Sequence, residues 1–128
     1  MNKKELYRVA DQAKKHAYAP FSGFCVGAAL LTKEGRVYTG VNVENSSNCA
    51  AICAERTAFV KAISEGEREF AAIAVASNGG ESLPCGICRQ FMYEFCPELD
   101  VITGADEENL RVQTLKQLLP EGFRLEKE

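Results

Sequence analysis

Two short stretches hold most of the side chains able to do chemistry. Cys53-Ala54-Glu55-Arg56 sets a thiol, a carboxylate and a guanidinium side by side, and Cys85-Gly86-Ile87-Cys88-Arg89 adds two thiols and a second cation. Thiolates are soft donors that bind zinc, and three of them with a nearby carboxylate suggest a metal site that does acid–base work. Cys85 and Cys88 lie three apart at the expected start of a helix, so their sulfurs share one side. Cys53 stands at the expected start of another. Helix N-termini carry partial positive charge, which favours the thiolates a metal needs.

The number of ligands decides what such a site does. A closed structural zinc site takes four protein ligands, whereas a catalytic one keeps a position for water. Cys25, Cys49, Cys96 and His16 are the candidates for a fourth. Cys25 falls in a strand, Cys49 in a loop, and Cys96 lies about 12 Å along its helix from Cys88. His16, near the end of the first helix, reads as a surface or capping residue. Three thiolates plus water is the arrangement that fits. The water then needs a proton acceptor that is not a ligand, and Glu55, in the same turn as Cys53, is placed for it. Zn²⁺ with three thiolates totals one negative charge, which weakens its Lewis acidity. A guanidinium donating to a sulfur drains that charge; Arg56 is assigned this role, and Arg89 is the other candidate.

These residues have to be brought together by the fold. Helical spacing of Leu6, Val9, Ala10, Ala13 and Ala17 predicts a helix over residues 3–17, ended by Pro20. Two β-like runs, 24–32 and 36–45, are joined by a turn at Lys33-Glu34-Gly35. Residues 53–64 read as a helix closing at Gly66, and 70–77 as a buried strand. A second helix begins at Pro84 or Cys85 and runs through Phe95 to Pro97. A strand at 99–105, another at 110–114 and a short helix ending at Pro120 complete the order. The helix between 70–77 and 98–103 implies a parallel crossover, and the short link from 103 to 110 implies an antiparallel fifth strand. The expected fold class is α/β: a mixed five-stranded sheet flanked by helices, in one domain over residues 1–128.

Composition narrows the partners. A formal net charge of −3 and a pI near 5.3 argue against a nucleic-acid partner. The charged start of the chain lacks the apolar core of a signal peptide, and no run is long enough to cross a bilayer. A cytoplasmic protein with no membrane partner is expected. In a reducing compartment, close-spaced thiols read as metal ligands or redox groups rather than disulfides.

Together, "CAE", "PCGICRQ", "NVE" and the phenylalanine of "PEGF" resemble the homotetrameric zinc-dependent cytidine deaminases, and the likeness spans nearly the whole chain. The resemblance implies the three-layer fold of that family and one Zn²⁺ per subunit held by Cys53, Cys85 and Cys88, with Glu55 as proton shuttle. It implies that Asn42 and Glu44 bind the ribose 3′-hydroxyl and that Phe24 contacts the pyrimidine. The backbones of Ala54 and Ser46 would meet the base carbonyl and the nucleoside. It further implies a homotetramer with shared pockets, in which Phe123 stacks on the base of another subunit. Asn48 departs from the pattern, because the family usually has an aromatic residue there, in the intersubunit pocket near the ribose 5′-hydroxyl. The missing ring area corresponds to about 1–2 kcal/mol.

The expected reaction is hydrolytic deamination of cytidine and 2′-deoxycytidine to the uridines, with ammonia released, in pyrimidine salvage. Deamination of another aminopyrimidine nucleoside, such as blasticidin S, is the alternative that Asn48 keeps open. Two readings from other classes fit less of the sequence. A thiol oxidoreductase built on Cys85-Gly86-Ile87-Cys88 leaves Cys53 and Glu55 unused. A structural zinc module needs a fourth protein ligand.

Overall fold

A computed structural model of the chain describes residues 1–126. The elements follow in the order α1 (Lys3–Ala13), β1 (Val26–Thr32), β2 (Val37–Val41), α2 (Ala54–Ser64), β3 (Phe70–Ser77), α3 (Gly86–Tyr93), β4 (Asp100–Gly104), β5 (Leu110–Thr114) and α4 (Leu115–Leu118). Single 3-10 turns occupy Lys14–His16 and Asn48–Ala50. The expected order of elements holds, with shorter extents. The first helix gives way at Ala13 to a 3-10 turn. α3 ends at Tyr93, four residues before Pro97. β1 sheds Phe24 and Cys25, whose amides are taken by the side chains of Ser22 and Asn78, and β2 ends at Val41, beyond which Val43 and Glu44 bond the backbones of Ile52 and Tyr18. The one-domain expectation of 1–128 ends on residues 127–128, which lie outside the described residues.

The five strands form one sheet in the order β2-β1-β3-β4-β5. β1 is antiparallel to both β2 and β3, and β3 is parallel to β4. β2, β3 and β4 therefore all point the same way. α2 leads from β2 to β3 and α3 from β3 to β4, so both helices begin beyond the carboxyl ends of same-directed strands. β5 turns back antiparallel on β4, as the short connection requires.

Strand alternation divides the core into two layers. Ile73 and Val75 of β3 and Ala28 and Leu30 of β1 face α2, α3 and α4. The intervening residues Ala72, Ala74, Ala76 and Ala29 face α1, which buries Leu6, Tyr7 and Ala10 against them. Between α2 and α3 the rings of Phe59, Phe70, Phe91 and Phe95 pack together, with Phe59 and Phe70 centroids 4.8 Å apart. This cluster fixes the spacing of the two helices whose first residues carry the thiols.

α2 lies unusually close to the sheet. A β-carbon at Gly40 would run into the Ala54 carbonyl oxygen and the Ala58 nitrogen, so the backbone of α2 rests on a bare strand position. Past the far end of the helix, the Glu67 carboxylate accepts hydrogen bonds from Tyr38 Oη at 2.8 Å and Arg36 Nη1 at 3.0 Å, tying the helix exit to β2. Gly40→Ala is expected to lower stability by about 1–3 kcal/mol in urea titration, because backbone on both sides must separate. Glu67 illustrates the pH dependence. Its bonds to Tyr38 and then Arg36 hold its pKa below the ordinary 4.5. A depressed carboxyl stabilises the fold above the unfolded pKa and loses that contribution as pH falls through the folded pKa. Glu67→Gln should therefore lower Tm at pH 7, and scanning calorimetry should show the gap closing as pH falls below the ordinary 4.5 and through the folded pKa.

Candidate metal centre and cavity

Cys53 and Cys85 are the N-cap residues of α2 and α3, both with extended backbone and neither capping its helix with its side chain. Their sulfurs are thus free to point away from the helix axes towards each other. Cys53 Sγ lies 3.8 Å from Cys85 Sγ, Cys85 Sγ lies 3.4 Å from Cys88 Sγ, and all three fall within 4.8 Å of one another. Four ligands at a Zn–S distance of about 2.3 Å with tetrahedral angles put sulfurs about 3.8 Å apart. The trio fits zinc. It grades from buried Cys88 through half-buried Cys53 to exposed Cys85, so the open side faces outwards.

No fourth side chain joins them among the described residues. Cys96 turns its thiol to the Phe70 carbonyl oxygen at 3.4 Å, on the core side of α3. Cys25 hydrogen-bonds the Gly23 carbonyl, and His16 sits exposed in the first 3-10 turn. Cys49 borders the cavity beside the trio but is not one of the clustered sulfurs.

Electrostatics sets the protons. The Cys53 sulfur accepts from the Cys88 thiol, and with Arg56 and Cys85 also donating its pKa falls to about 5. The same bond to Cys53, reinforced by burial, pushes the Cys88 thiol up. Arg56 Nη2 lies 3.7 Å from Cys53 Sγ, the contact its position in the sequence suggests, and its buried Nε has no hydrogen-bond partner among the described residues. Arg89 does something else. Its Nε donates to the Pro84 carbonyl at 2.7 Å and its Nη1 to the Leu118 carbonyl at 2.8 Å, bracing the turn before Cys85 against the end of α4. That correction follows from direction: Arg89 leaves α3 on the side facing α4, away from the sulfurs. Glu55 is 4% exposed, and burial, with the negative Cys53 sulfur adding, pushes its carboxyl up to about 7.

The trio opens into a cavity of about 450 Å³, a size suited to a small organic ligand. Glu55, Ala54, Phe24, Asn42, Glu44 and Asn48 all line it, so the cavity gathers residues separated by over thirty positions. Asn42 and Glu44 have part of their capacity engaged. Asn42 accepts from Val26 N and donates to the Phe24 carbonyl; Glu44 accepts from the Phe21 and Ser22 amides and the Ser22 hydroxyl. A carboxylate has about four acceptor sites and an amide side chain four bonding positions, which leaves each residue room for a ligand. Ser46 borders an adjoining hollow that shares Glu44 and Asn48 with the main one. Phe123 is 64% exposed and lines neither; Gln90 holds its backbone, donating to the carbonyl at 2.8 Å. The apolar walls at Val43, Ile52, Leu83 and Ile87 escape sequence reading, since none belongs to a polar motif. Their only signal is apolar residues in loops next to chemically active ones.

Comparison with known proteins agrees with this geometry. The family described as the cytidine and deoxycytidylate deaminase zinc-binding region matches residues 1–104. A cytidine deaminase of Halalkalibacterium halodurans is 45% identical, the match spanning 98% of this chain and 97% of that protein. The crystal structure of a Burkholderia pseudomallei cytidine deaminase superposes with a TM-score of 0.91 at 46% identity, covering 96% of this chain and all of that one. A Mycobacterium tuberculosis cytidine deaminase structure superposes at 0.87 with 38% identity, covering 98% and 99%.

The placement of the cysteines yields a direct test by metal analysis of purified protein. Cys88→Ala should drop zinc from about one equivalent to a small fraction, since a trio reduced to two sulfurs loses its chelate. Cys96→Ala should keep the metal.

Proposed function

The chain belongs to the cytidine and deoxycytidylate deaminase zinc-binding family, and on that footing we propose that it hydrolyses cytidine and 2′-deoxycytidine to uridine and 2′-deoxyuridine, releasing ammonia. The observation that carries this reading is a buried Glu55 on the wall of a ligand-sized cavity, two positions beyond Cys53, one of three clustered cysteine sulfurs. Zn²⁺ held by Cys53, Cys85 and Cys88 supplies Lewis acidity for hydrolysis. The chain's own groups do the rest. Glu55 takes a proton from the attacking water and delivers it to N3 of the base as the water oxygen bonds C4. It then takes the proton of the new C4 hydroxyl and passes it to the amine as the C4–N4 bond breaks, leaving a carbonyl at C4, so that water and the aminopyrimidine become the pyrimidinone and ammonia. A carboxyl titrating near 7 serves both transfers, because it is neither too acidic to accept nor too basic to donate.

Positioning falls to the other cavity residues. Phe24 offers a ring face to the pyrimidine, the Ala54 backbone meets the base carbonyl, and Asn42 and Glu44 take the ribose 3′-hydroxyl with the capacity they have left. Arg56 draws charge from the Cys53 sulfur, offsetting the surplus negative charge of three thiolates.

The cavity is bordered by the exposed side chains of Asn48, Ile52, Leu83 and Ile87, and Ser46 borders the hollow beside it. Apolar side chains rimming a polar site are a signature of a covered surface. We read it as the face completed by neighbouring subunits of a homotetramer, with Ser46 and Asn48 at the seam and Phe123 reaching a neighbour's base. The reading extends to a cytoplasmic, single-domain enzyme of pyrimidine salvage whose partner is a free nucleoside. Among the described residues no helix is long and apolar enough to cross a membrane.

Glu55→Gln tests the central role. It should keep its zinc, since Glu55 is not a ligand, and lose turnover by roughly three to four orders of magnitude, followed as the ultraviolet change from cytidine to uridine. Near-wild-type turnover refutes the proton-shuttle assignment.

A further inference from the structure

The segment that presents Phe24 to the cavity lies outside the regular strand, yet nearly every backbone group in it is held by a side chain. Phe24 N donates to Ser22 Oγ at 3.0 Å, and the Phe24 carbonyl accepts from Asn42 Nδ2 at 2.7 Å. The groups on either side go to one residue on the neighbouring strand exit. Cys25 N donates to Asn78 Oδ1 at 3.0 Å, and Asn78 Nδ2 donates to the Gly23 carbonyl at 2.9 Å. Asn78 is also joined through its own backbone, its N–H reaching the Cys25 carbonyl at 3.1 Å. The side chain thus continues the β1–β3 pairing past its last register pair, Val26 with Ser77.

The next residue bears on the ring itself. A β-carbon built on Gly79 would stand 2.7 Å from Phe24 Cε1 and 3.2 Å from Cδ1. Among the chain's glycines, Gly23, Gly35, Gly66 and Gly80 adopt positive φ, and Gly79 does not. Backbone conformation therefore leaves alanine free to sit at 79; only the ring forbids it. Phe24 is 42% exposed and can swing, so the obstacle is the movable end of a side chain rather than packed backbone. Neither Asn78 nor Gly79 lines the cavity that Phe24 lines.

We propose that Asn78 and Gly79 are positioning residues for substrate binding: Asn78 clamps the backbone on both sides of Phe24, and the bare α-carbon of Gly79 leaves the space in which its ring stands. The proposal deepens the functional reading above and rests on it in one respect, that the Phe24 ring faces the pyrimidine. It links a loop preceding Cys85, on the zinc side of the cavity, to the wall that receives the base, without passing through the metal.

The test is steady-state deamination of cytidine by the zinc-loaded enzyme for Asn78→Ala, Gly79→Ala and Phe24→Ala, and for each loop variant combined with Phe24→Ala. Asn78→Ala and Gly79→Ala should each raise KM roughly threefold to tenfold, the size expected from one lost hydrogen bond's worth of orientation, with kcat within about twofold and zinc content unchanged. In the Phe24→Ala background, whose own KM is raised, both substitutions should add nothing, because the ring they position is gone. A purely structural role predicts otherwise: both would cost KM or stability whether or not the ring is present. Wild-type KM in either loop variant, or effects that multiply in full with that of Phe24→Ala, overturns the proposal. Wild-type KM in Phe24→Ala overturns the placement of the ring against the base and this proposal with it, while leaving the Glu55→Gln outcome to judge the reaction itself.

Discussion

Everything at this site depends on three sulfurs meeting at less than 5 Å although two come from one helix and the third from another. The cause is strand direction. Because β2, β3 and β4 run the same way, the chain must leave each at one edge of the sheet, and α2 and α3 are forced to begin there. Convergence of helix N-termini at the carboxyl ends of parallel strands is the usual origin of crevices in α/β sheets. Here the N-cap position of each helix carries a cysteine. A cap residue ordinarily bonds its own helix amides. Both caps forgo that bond, so each helix gives up some local stability and turns a soft donor outwards. The bare strand position at Gly40 and the packed phenylalanines hold the two helix starts at a fixed distance, which is what a chelate requires.

The same geometry sorts the protons. One turn of α2 contains a sulfur that is driven to ionise, a carboxyl that is kept neutral towards pH 7, and a guanidinium that reaches back to the sulfur. Their differences come from depth as much as from neighbours. Glu55 points into the protein and loses its water; Arg56 lies at the boundary and keeps contact with Cys53. A helix turn presents successive residues about 100° apart, so adjacent positions in the sequence sample different dielectric surroundings. Chemistry that needs a metal ligand, a proton carrier and a charge regulator can therefore be packed into four consecutive residues.

Reading the sequence recovers what depends on short-range pattern. The short apolar run Phe70–Ser77 places that strand at its true ends, and Gly66, at positive φ, closes α2 where a left-handed residue is needed. The C-x-x-C spacing locates a sulfur pair because three residues make nearly one turn. Legibility fails where a side chain replaces a backbone partner. Residues 24 and 25 look strand-like from their apolar character, but their amides are taken by Ser22 and Asn78, so no ladder forms. Phe95 fits the apolar face of α3, yet the helix has already tightened, with the Phe95 amide bonding back to Met92. Arg89 looks equivalent to Arg56 in sequence and is not, since its direction depends on where α4 packs.

That last difference shows how α3 divides its surface. Its first turn gives Cys85 and Cys88 to the metal side, while Arg89 and Gln90, one and two positions on, grip the C-terminal segment at Leu118 and Phe123. The turn before Cys85 is held from another direction, where Glu81 accepts from Thr103 Oγ1 at 2.7 Å and Arg111 Nε at 2.9 Å. A chelating loop fastened at both its entrance and its exit loses little entropy when a metal binds, which raises affinity without any added ligand. It also means that the C-terminal tail cannot shift without pulling on the helix that carries two of the three sulfurs. The α3 side of the cavity and the tail bearing Phe123 are thus joined by these bonds, although no described residue of the tail borders the cavity.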